Sequence, residues 1–509
     1  MRPVGYAELV DRVGLETLAP EVRSFVLDRG HRRSVVRDGH REEYYPARSA
    51  PGDSWTDHLV FALKRESLNL EVLAALFAVV PTDEFTDFVR RSPNGRYARL
   101  AWFLFEWLTT TTLPLPDLTQ GNYFSVLDGE QHFAIRAPDE AVRVRRQRIL
   151  NNLPGTPAYC PLVRRTAVLE ASIAERLEGR VREVLGRFPA ELIRRAAQYL
   201  FVNETKSSYQ IERLRPDQRR TVRFVELLRR AGTVPCGTEE DLTALQRAIV
   251  DERYAARGFR DTQNYVGQSL GPGREIVHYV PPKPEDVQAL MGGWEVCCRR
   301  ASAEGIHPVV AATLMGFGFV FIHPFEDGNG RLHRFLIHHA LALGNFAPDG
   351  VIFPVSAVML REMARYDAVL ESYSREVMRH VEYEIDEAGV LTVLNATAPF
   401  YRYPDLTRAA EELFGFIRDT VEREFTAELE YLAVFDAARR ELGDIVDMPD
   451  SRLDLFIRLS LQGSGGLSRS KRARFAEITD DEIAAMEAVV RKALSRIQRD
   501  SSPSDPKDT

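Results

Sequence analysis

Between two apolar helical patterns the sequence reads HPFEDGNGRLHR, over residues 323–334. The apolar run before it starts after Pro308, which suits the first turn of a helix. That run ends at His323, because a residue that precedes proline avoids the helical region. Asp327–Gly330 cannot comfortably continue a helix, and a second helix begins near Arg331. The stretch therefore predicts two core helices joined by a tight glycine-rich loop.

This loop has the parts that a phosphate-transfer site needs. A glycine-rich loop that opens a helix presents free N–H groups to an anion, and the helix dipole favours negative charge there. Arg331 and Arg334 are three residues apart, so both can face the loop and reach phosphate oxygens. Asp327 is a hard oxygen ligand, suited to Mg²⁺ beside a diphosphate. The unperturbed pKa of histidine lies near neutral pH, so His323 is expected to be able to take a proton from an attacking hydroxyl.

The stretch resembles the Fic family signature, HPFx(D/E)GNGRxxR, at every specified position. The resemblance implies transfer of AMP from ATP to a Ser, Thr or Tyr hydroxyl of a target protein. In that reaction His323 would be the catalytic base, Asp327 would bind Mg²⁺ between the α- and β-phosphates, and Phe325 would anchor the core. The phosphates would be held by Gly328, Asn329, Gly330 and Arg331, with Arg334 at the γ-phosphate.

The resemblance continues upstream of the loop. Gly258–Arg260, Gln263–Gly267 and His278–Pro282 look like the segment that precedes the signature in many family members. Gly-Pro-Gly at residues 271–273, followed by β-branched residues, predicts a short hairpin. The family implies that this hairpin is a flap that registers the target by adding a strand to it. Its nearest edge would be Val277, His278, Tyr279 and Val280.

A second motif suggests a built-in inhibitor. Ser208 and Glu212 fit the inhibitory-helix pattern (S/T)xxxE(G/N), one helical turn apart. The family implies that Glu212 pairs with Arg334 and displaces the γ-phosphate of ATP. The chain departs from the pattern at Arg213, where Gly or Asn is expected. In relatives with this glutamate the same site also removes AMP.

Composition predicts an ordinary globular protein of the cytoplasm. The chain of 509 residues is 44% hydrophobic and carries a formal charge of −7. This mild acidity gives no reason to expect nucleic acid. The most apolar run, residues 309–322, is shorter than the roughly 18 residues of a membrane span, so we expect a buried helix and no membrane segment. The basic run 468–474 leaves DNA binding as a lesser alternative to a solvated surface, and Thr479–Glu482 resembles a capping box.

Helical periodicity predicts a mainly α fold: a Fic-type helical bundle with a small β-hairpin flap, between helical N- and C-terminal regions. The predicted divisions are an N-terminal region of unknown role, a Fic core with the inhibitory helix near 203–213, a C-terminal helical region and a disordered tail. Their bounds are 1–160, 161–394, 395–498 and 499–509.

Several alternatives stay open. The site is also compatible with net removal of AMP, with transfer of another nucleotide, or with a non-catalytic regulatory or toxin–antitoxin-type module. Self-modification and a homodimer are further open points. His333, His338 and His339 show no metal-binding spacing and are expected at or near the helix surface.

Overall fold

The computed structural model describes residues 1–37, 40–135, 143–269, 275–303, 306–348 and 350–500. Helices dominate these ranges, so the predicted mainly α architecture is confirmed. By packing, the chain divides into two units, and each is described separately. One comprises residues 1–175, 205–346 and 359–416, and the other comprises 176–204, 347–358 and 417–509. These bounds differ from the predicted divisions at 160 and 394, which remain a proposal.

The first unit starts with a mixture of strands and helices rather than with helices alone. Its elements up to residue 175 are β1 (Arg2–Val4), α1 (Tyr6–Val13), β2 (Val22–Leu27), β3 (Arg33–Arg37), β4 (His40–Pro46), α2 (Trp55–Arg65), α3 (Leu70–Val79), α4 (Thr82–Arg91), α5 (Arg96–Thr109), β5 (Phe124–Ser125), β6 (Arg143–Val144), β7 (Ile149–Leu150) and α6 (Ala167–Ala174). The strands form two small sheets, in the orders β1-β2-β4-β3 and β5-β7-β6.

The N-terminal region, predicted to be helical, thus contains helices α1 to α5 together with two small sheets that the sequence analysis did not predict. Most of these strands are too short or too polar to show an apolar face that repeats every second residue. Strand β3 reads RSVVR and is exposed along its whole length, while β5, β6 and β7 have two residues each. Helices α1 to α5 nevertheless share one large apolar core, in which Trp102, Phe103 and Phe105 of α5 are buried.

The elements that follow include the inhibitory-helix segment and the signature loop. They are α7 (Leu177–Gly186), α8 (Ala190–Ile211), α9 (Gln218–Arg229), α10 (Glu239–Ile249), β8 (Val266–Ser269), β9 (Glu275–Tyr279), α11 (Pro284–Ala303), α12 (Pro308–Ile322), α13 (Asn329–Leu343), α14 (Val355–Arg361) and α15 (Met363–Met378). Strands β8 and β9 pair antiparallel, which gives the predicted hairpin, although its turn at 271–273 lies outside the described residues.

Helix α12 is the buried centre of the first unit. Pro308 occupies its first turn, and the His307 side chain caps it by accepting from the Val309 N–H. Every residue from Val309 to Ile322 is buried, as expected for a helix that is apolar on all sides. None of the helices within the described ranges is both long and apolar enough to cross a membrane. The loop after α12 is thus held on a rigid, fully packed element.

The last elements complete both units. They are β10 (Tyr383–Ile385), β11 (Leu391–Val393), α16 (Pro399–Arg402), α17 (Thr407–Asp419), α18 (Thr426–Leu442), α19 (Asp450–Leu461), α20 (Arg469–Arg472) and α21 (Asp480–Asp500). In the second unit, α18, α19 and α21 enclose an apolar core of their own. Thr479 and Glu482 exchange hydrogen bonds at the start of α21, so the predicted capping box is confirmed. Residues 501–509 of the predicted tail lie outside the described residues.

Candidate active site

The predicted base stands at the C-terminal end of α12. His323 has left-handed backbone angles, φ 54° and ψ 58°, and its Nδ1 lies 3.2 Å from the Val320 carbonyl. A carbonyl can only accept, so Nδ1 carries the proton and Nε2 keeps the lone pair. The pKa of His323 is lowered to about 4, mainly by burial. The contact with the Val320 carbonyl raises the pKa in part, and the charge of Arg260 lowers it. The ring is therefore neutral near pH 7 and able to accept a proton.

The glycine-rich loop turns directly into α13. Gly328 precedes the helix with φ 91° and ψ 0°, a conformation that favours glycine. The side chain of Asn329 is buried and bonds the Phe325 main chain twice, accepting from its N–H over 3.0 Å and donating to its carbonyl over 2.6 Å. Asn329 therefore shapes the loop with its amide. Its contribution to an anion site would come from main-chain N–H groups of the first helical turn.

Arg331 lies at the centre of the charged groups. It is only 1% exposed, and its guanidinium reaches Asp327 Oδ1 at 2.5 Å and Glu212 Oε2 at 2.7 Å. It also donates to the Ile249 carbonyl and lies over the Tyr209 ring, 5.2 Å from the centroid. The Asp327 side chain is 42% exposed, so the carboxylate predicted to bind metal is open to solvent. Arginine, aspartate and glutamate thus form one continuous ionic cluster.

Arg334 makes the predicted contact with the inhibitory motif. Its Nε donates to Ser208 Oγ over 2.8 Å, and one terminal nitrogen donates to the Ser208 carbonyl and to Glu212 Oε1, at 2.7 and 2.6 Å. Both Ser208 and Arg334 are buried. The predicted pairing of Glu212 with Arg334 is present. The sequence did not show that Glu212 also pairs with Arg331.

The helix end at Glu212 explains the residue that departs from the inhibitory pattern. Arg213 has φ 57°, its N–H donates to Gln210, and the Leu214 N–H donates to Tyr209. These two bonds define a Schellman motif, whose left-handed position is usually Gly and sometimes Asn. Arg213 adopts the same conformation at a steric cost of about 1 kcal/mol. The backbone therefore has the shape that the pattern calls for, although the residue differs.

Glu212 fits closely against the loop. A Cβ added to Gly330 would lie 2.5 Å from Glu212 Oε1, so the carboxylate occupies space that only glycine leaves free. A carboxylate at the C-terminal end of a helix opposes the helix dipole. The two arginines offset that unfavourable placement. The position of Glu212 is thus set by α13 as much as by its own helix.

Other side chains hold the site from behind and were not singled out in the sequence. The buried Gln246 donates to the Asp327 carbonyl over 3.1 Å, and the Tyr209 hydroxyl donates to the Ile249 carbonyl. Asn264, within the segment that resembles the family, donates to the Phe325 carbonyl over 3.0 Å. Phe325 is fully buried and packs edge-on against Phe259, as expected for a core anchor. Of the three polar side chains, only Asn264 lies in a segment that the resemblance pointed to, whereas Phe325 belongs to the signature itself.

The hairpin corrects part of the predicted target edge. Val277 is half-buried and His278 is exposed, whereas Tyr279 is buried and donates to the Phe321 carbonyl over 2.6 Å. Val280 lies beyond β9 and is completely buried. Its N–H donates to Met378 Sδ and its carbonyl accepts from the Tyr401 hydroxyl. Val280 is thus committed to internal contacts, because the chain leaving the hairpin enters the core.

The histidines of α13 are buried, so their predicted surface position is wrong. His333, His338 and His339 are 0%, 4% and 3% exposed, because α13 is covered on nearly all sides. His339 accepts from the Gly232 N–H and lies 3.3 Å from Cys236 Sγ. Within the described ranges there is no group of three or more His, Cys, Asp or Glu side chains that could hold a metal by itself.

Residues of the basic run 468–474 make contacts within the second unit. Arg472 pairs with the buried Glu487 through two contacts of 3.0 and 2.9 Å, and Lys471 donates to Gln462 over 3.1 Å. Arg469 and Arg474 are exposed. These contacts give Lys471 and Arg472 a place in the packing of the second unit.

Comparison with known proteins matches the part of the chain that carries the site. A model of the Fic/DOC family matches residues 237–341. "Protein adenylyltransferase Fic" of Drosophila grimshawi is 35% identical over 119 residues, which are 23% of this chain and 22% of that protein. The protein of the same name from Nematostella vectensis is 31% identical over 113 residues, which are 22% of this chain and 24% of that protein. The match thus spans less than a quarter of each curated relative.

Two solved structures are also similar to the chain. The alignment with a Fic family protein from Desulfovibrio desulfuricans G20 covers 69% of this chain and 97% of that protein, with 18% identity and a TM-score of 0.38. A Fic domain containing signaling protein from Bacteroides thetaiotaomicron VPI-5482 covers 51% of this chain, and 97% of its own, with 17% identity and a TM-score of 0.34. Structural similarities this distant add nothing to the sequence match. The sequence match and the geometry of the loop are the observations that matter here. Residues 237–341 of the chain are thus similar to the domain that defines the Fic/DOC family.

Proposed function

We propose that this chain is a protein adenylyltransferase that transfers AMP from ATP to a hydroxyl side chain of a target protein, and that Glu212 inhibits it. The observation that carries the proposal is the ionic cluster at the start of α13. There Arg331 and Arg334, both buried, turn toward a glycine-rich helix N-terminus next to a neutral histidine. Buried guanidiniums beside free N–H groups form a site for a polyphosphate.

His323 supplies the base. Its Nε2 takes the proton of the target hydroxyl, and the oxygen then forms a bond to the α-phosphorus of ATP. The bond between that phosphorus and the oxygen bridging to the β-phosphate breaks, and pyrophosphate leaves with the electron pair. The proton on Nδ1 stays fixed by the Val320 carbonyl, which keeps Nε2 in the accepting form. Arg331, Arg334 and the α13 N-terminus stabilise the charge on the phosphate oxygens.

Asp327 is the residue that would hold Mg²⁺. Its carboxylate is 42% exposed and adjoins the phosphate site, and Mg²⁺ commonly binds through one or two carboxylates together with substrate phosphates and water. The absence of a three-ligand cluster among the described residues fits that kind of binding. When bound, the ion would offset the negative charge of the diphosphate.

Inhibition follows from competition for the two arginines. The Glu212 carboxylate lies 2.7 Å from Arg331 and 2.6 Å from Arg334, where phosphate oxygens of ATP would bind. A carboxylate and a γ-phosphate cannot occupy the same donors, so the closed helix leaves ATP without its productive position. A target would dock along the hairpin, whose exposed Ile276 and His278 offer an edge for an added strand.

Self-labelling with α-³²P-ATP and Mg²⁺ tests the proposal. We compare the unmodified chain, Glu212→Gly, and Glu212→Gly combined with His323→Ala. His31→Ala, an exposed histidine of the N-terminal region, serves as the matched control in the Glu212→Gly background. Label that appears with Glu212→Gly, survives His31→Ala and disappears with His323→Ala would support both transfer and inhibition. If variants that bind ATP acquire no label, AMP transfer is contradicted. That result would favour net removal of AMP or transfer of a different nucleotide.

A further inference from the structure

Arg260 connects the base to the hairpin through main-chain contacts. Its side chain is 5% exposed, and its Nε donates to the carbonyl of His323 over 2.9 Å. Its two terminal nitrogens donate to the carbonyls of Thr262, over 3.1 Å, and of Pro282. The Arg260 N–H also donates to the Pro324 carbonyl over 2.8 Å. One residue thus holds four main-chain carbonyls.

These carbonyls belong to three different pieces of the site. His323 and Pro324 start the signature loop, Thr262 lies on the chain that enters the hairpin, and Pro282 lies on the chain that leaves it. The planar guanidinium has donors in fixed directions, so it can hold three pieces of chain in one geometry. A lysine has one nitrogen and cannot reach all three.

We propose that Arg260 is a positioning residue, which fixes the backbone of His323 in its left-handed conformation and thereby aims Nε2 at the reacting hydroxyl. A residue with a side chain is strained at φ 54°, so something outside it must stabilise that conformation. The contact from Arg260 Nε to the His323 carbonyl supplies that stabilisation. Loss of it lets the peptide between His323 and Pro324 rotate, and the imidazole moves with it.

The hairpin is part of the same arrangement. Thr262 and Pro282 flank β8 and β9, and Arg260 donates to the carbonyls of both residues. A strand added to the hairpin therefore acts on main chain that Arg260 connects to His323. Gln263 reinforces the tie by donating to the Pro281 carbonyl over 3.1 Å. Target docking and base placement are therefore mechanically linked through one guanidinium.

Arg99 provides a matched control. It is also 5% exposed, and it also donates to three main-chain carbonyls, those of Asn122, Gln147 and Arg148. It serves the N-terminal core and has no contact with the signature loop in the described structure. A purely structural role for Arg260 would make Arg260→Lys behave like Arg99→Lys.

The activity test rests on the proposed AMP transfer and is made in the Glu212→Gly background. Arg260→Lys is expected to lower kcat for AMP incorporation about 100-fold, the loss that misplacing a reacting group by about 1 Å produces. The KM for ATP is expected to stay within about twofold, because the residue does not touch the phosphate site. Arg99→Lys is expected to leave kcat within about twofold of the Glu212→Gly parent. Equal kcat for Arg260→Lys and the parent would overturn the proposal.

A second measurement does not depend on AMP transfer. The imidazole ¹⁵N resonances are recorded with labelled histidine, and His323 is assigned by its loss in His323→Gln. Arg260→Lys and Arg260→Gln are expected to shift or split the His323 signals, while those of the buried His333 and His339 stay in place. Unchanged His323 signals would overturn the positioning role even if no variant transferred AMP. Loss of the native near-UV CD spectrum in both Arg260 variants, but not in Arg99→Lys, would also overturn it, in favour of a structural role.

Discussion

Replacement of Glu212 by glycine tests the inhibitory contact most directly. The change removes one carboxylate that pairs with two guanidiniums, at 2.7 Å for Arg331 and 2.6 Å for Arg334. The backbone at this position ends α8, so glycine there disturbs the helix little. The Glu212 side chain is 24% exposed, and the two arginines are 1% and 3% exposed. The contacts are therefore poorly screened by solvent.

The expected size follows from these contacts. Glu212 accepts one hydrogen bond, from Arg334, and forms an ion pair with Arg331. A hydrogen bond to a charged group contributes about 1.5–3 kcal/mol, and the two contacts of this carboxylate are worth about 3 kcal/mol together. Since 1.4 kcal/mol is a factor of about ten, release of the arginines should raise the rate of AMP incorporation roughly 100-fold. Glu212→Gln keeps the shape and one accepting oxygen, so it should raise the rate about tenfold.

Stability gives a second readout of the same change. Without Glu212, Arg331 and Arg334 stay buried with fewer acceptors, so nucleotide-free Glu212→Gly should lose about 2 kcal/mol of stability. ATP with Mg²⁺ should then raise the Tm of Glu212→Gly more than that of the unmodified chain. Both are measured by thermal unfolding with and without nucleotide.

Two results would refute the reasoning. One is an equal rate of incorporation for the unmodified chain, Glu212→Gln and Glu212→Gly, with ATP binding verified by calorimetry. The other is a faster Glu212→Gly that remains fast when His323 is changed to Ala, since the label would then arise without the base.

Three further predictions concern neighbouring groups. Arg213→Gly should stabilise the closed helix by about 0.5 kcal/mol and lower basal labelling about twofold, because glycine accepts φ 57° without strain but is freer when unfolded; Arg213→Ala should show no such gain. Asp327→Asn should raise the Mg²⁺ concentration needed for half-maximal transfer at least tenfold, measured by Mg²⁺ titration of labelling. Burial lowers the pKa of His333 to about 3 and of His339 to about 4, so the folded state resists protonation. The contribution of these histidines to the free energy of unfolding is therefore complete above pH 6.5. It should fall as the pH drops toward 4, by about 3 kcal/mol for His339, as urea unfolding at a series of pH values should show. A free energy of unfolding that does not change between pH 6.5 and 4 would contradict this prediction.

The sequence by itself determined the local parts of this protein. The helix–loop–helix around residues 323–334, the hairpin and the capping box at Thr479 follow from short-range rules on proline, glycine, capping and apolar spacing. The loop residues also sufficed to show the resemblance to the Fic family, because nine specified positions in twelve leave little to chance. These features depend on neighbours in the chain, which a sequence displays directly.

Tertiary structure decided what those parts touch. Strand β3 has no apolar face, and the strands of the N-terminal sheets form where partner strands complete their hydrogen bonds. The histidines of α13 look polar in sequence, yet they are buried because α13 is covered on nearly all sides. Glu212 contacts Arg331 and Arg334, which lie 119 and 122 residues further along the chain. Arg260 donates to the carbonyl of His323, 63 residues away. Contacts over such distances depend on how whole elements pack, and packing is a property of the folded chain that no local pattern encodes.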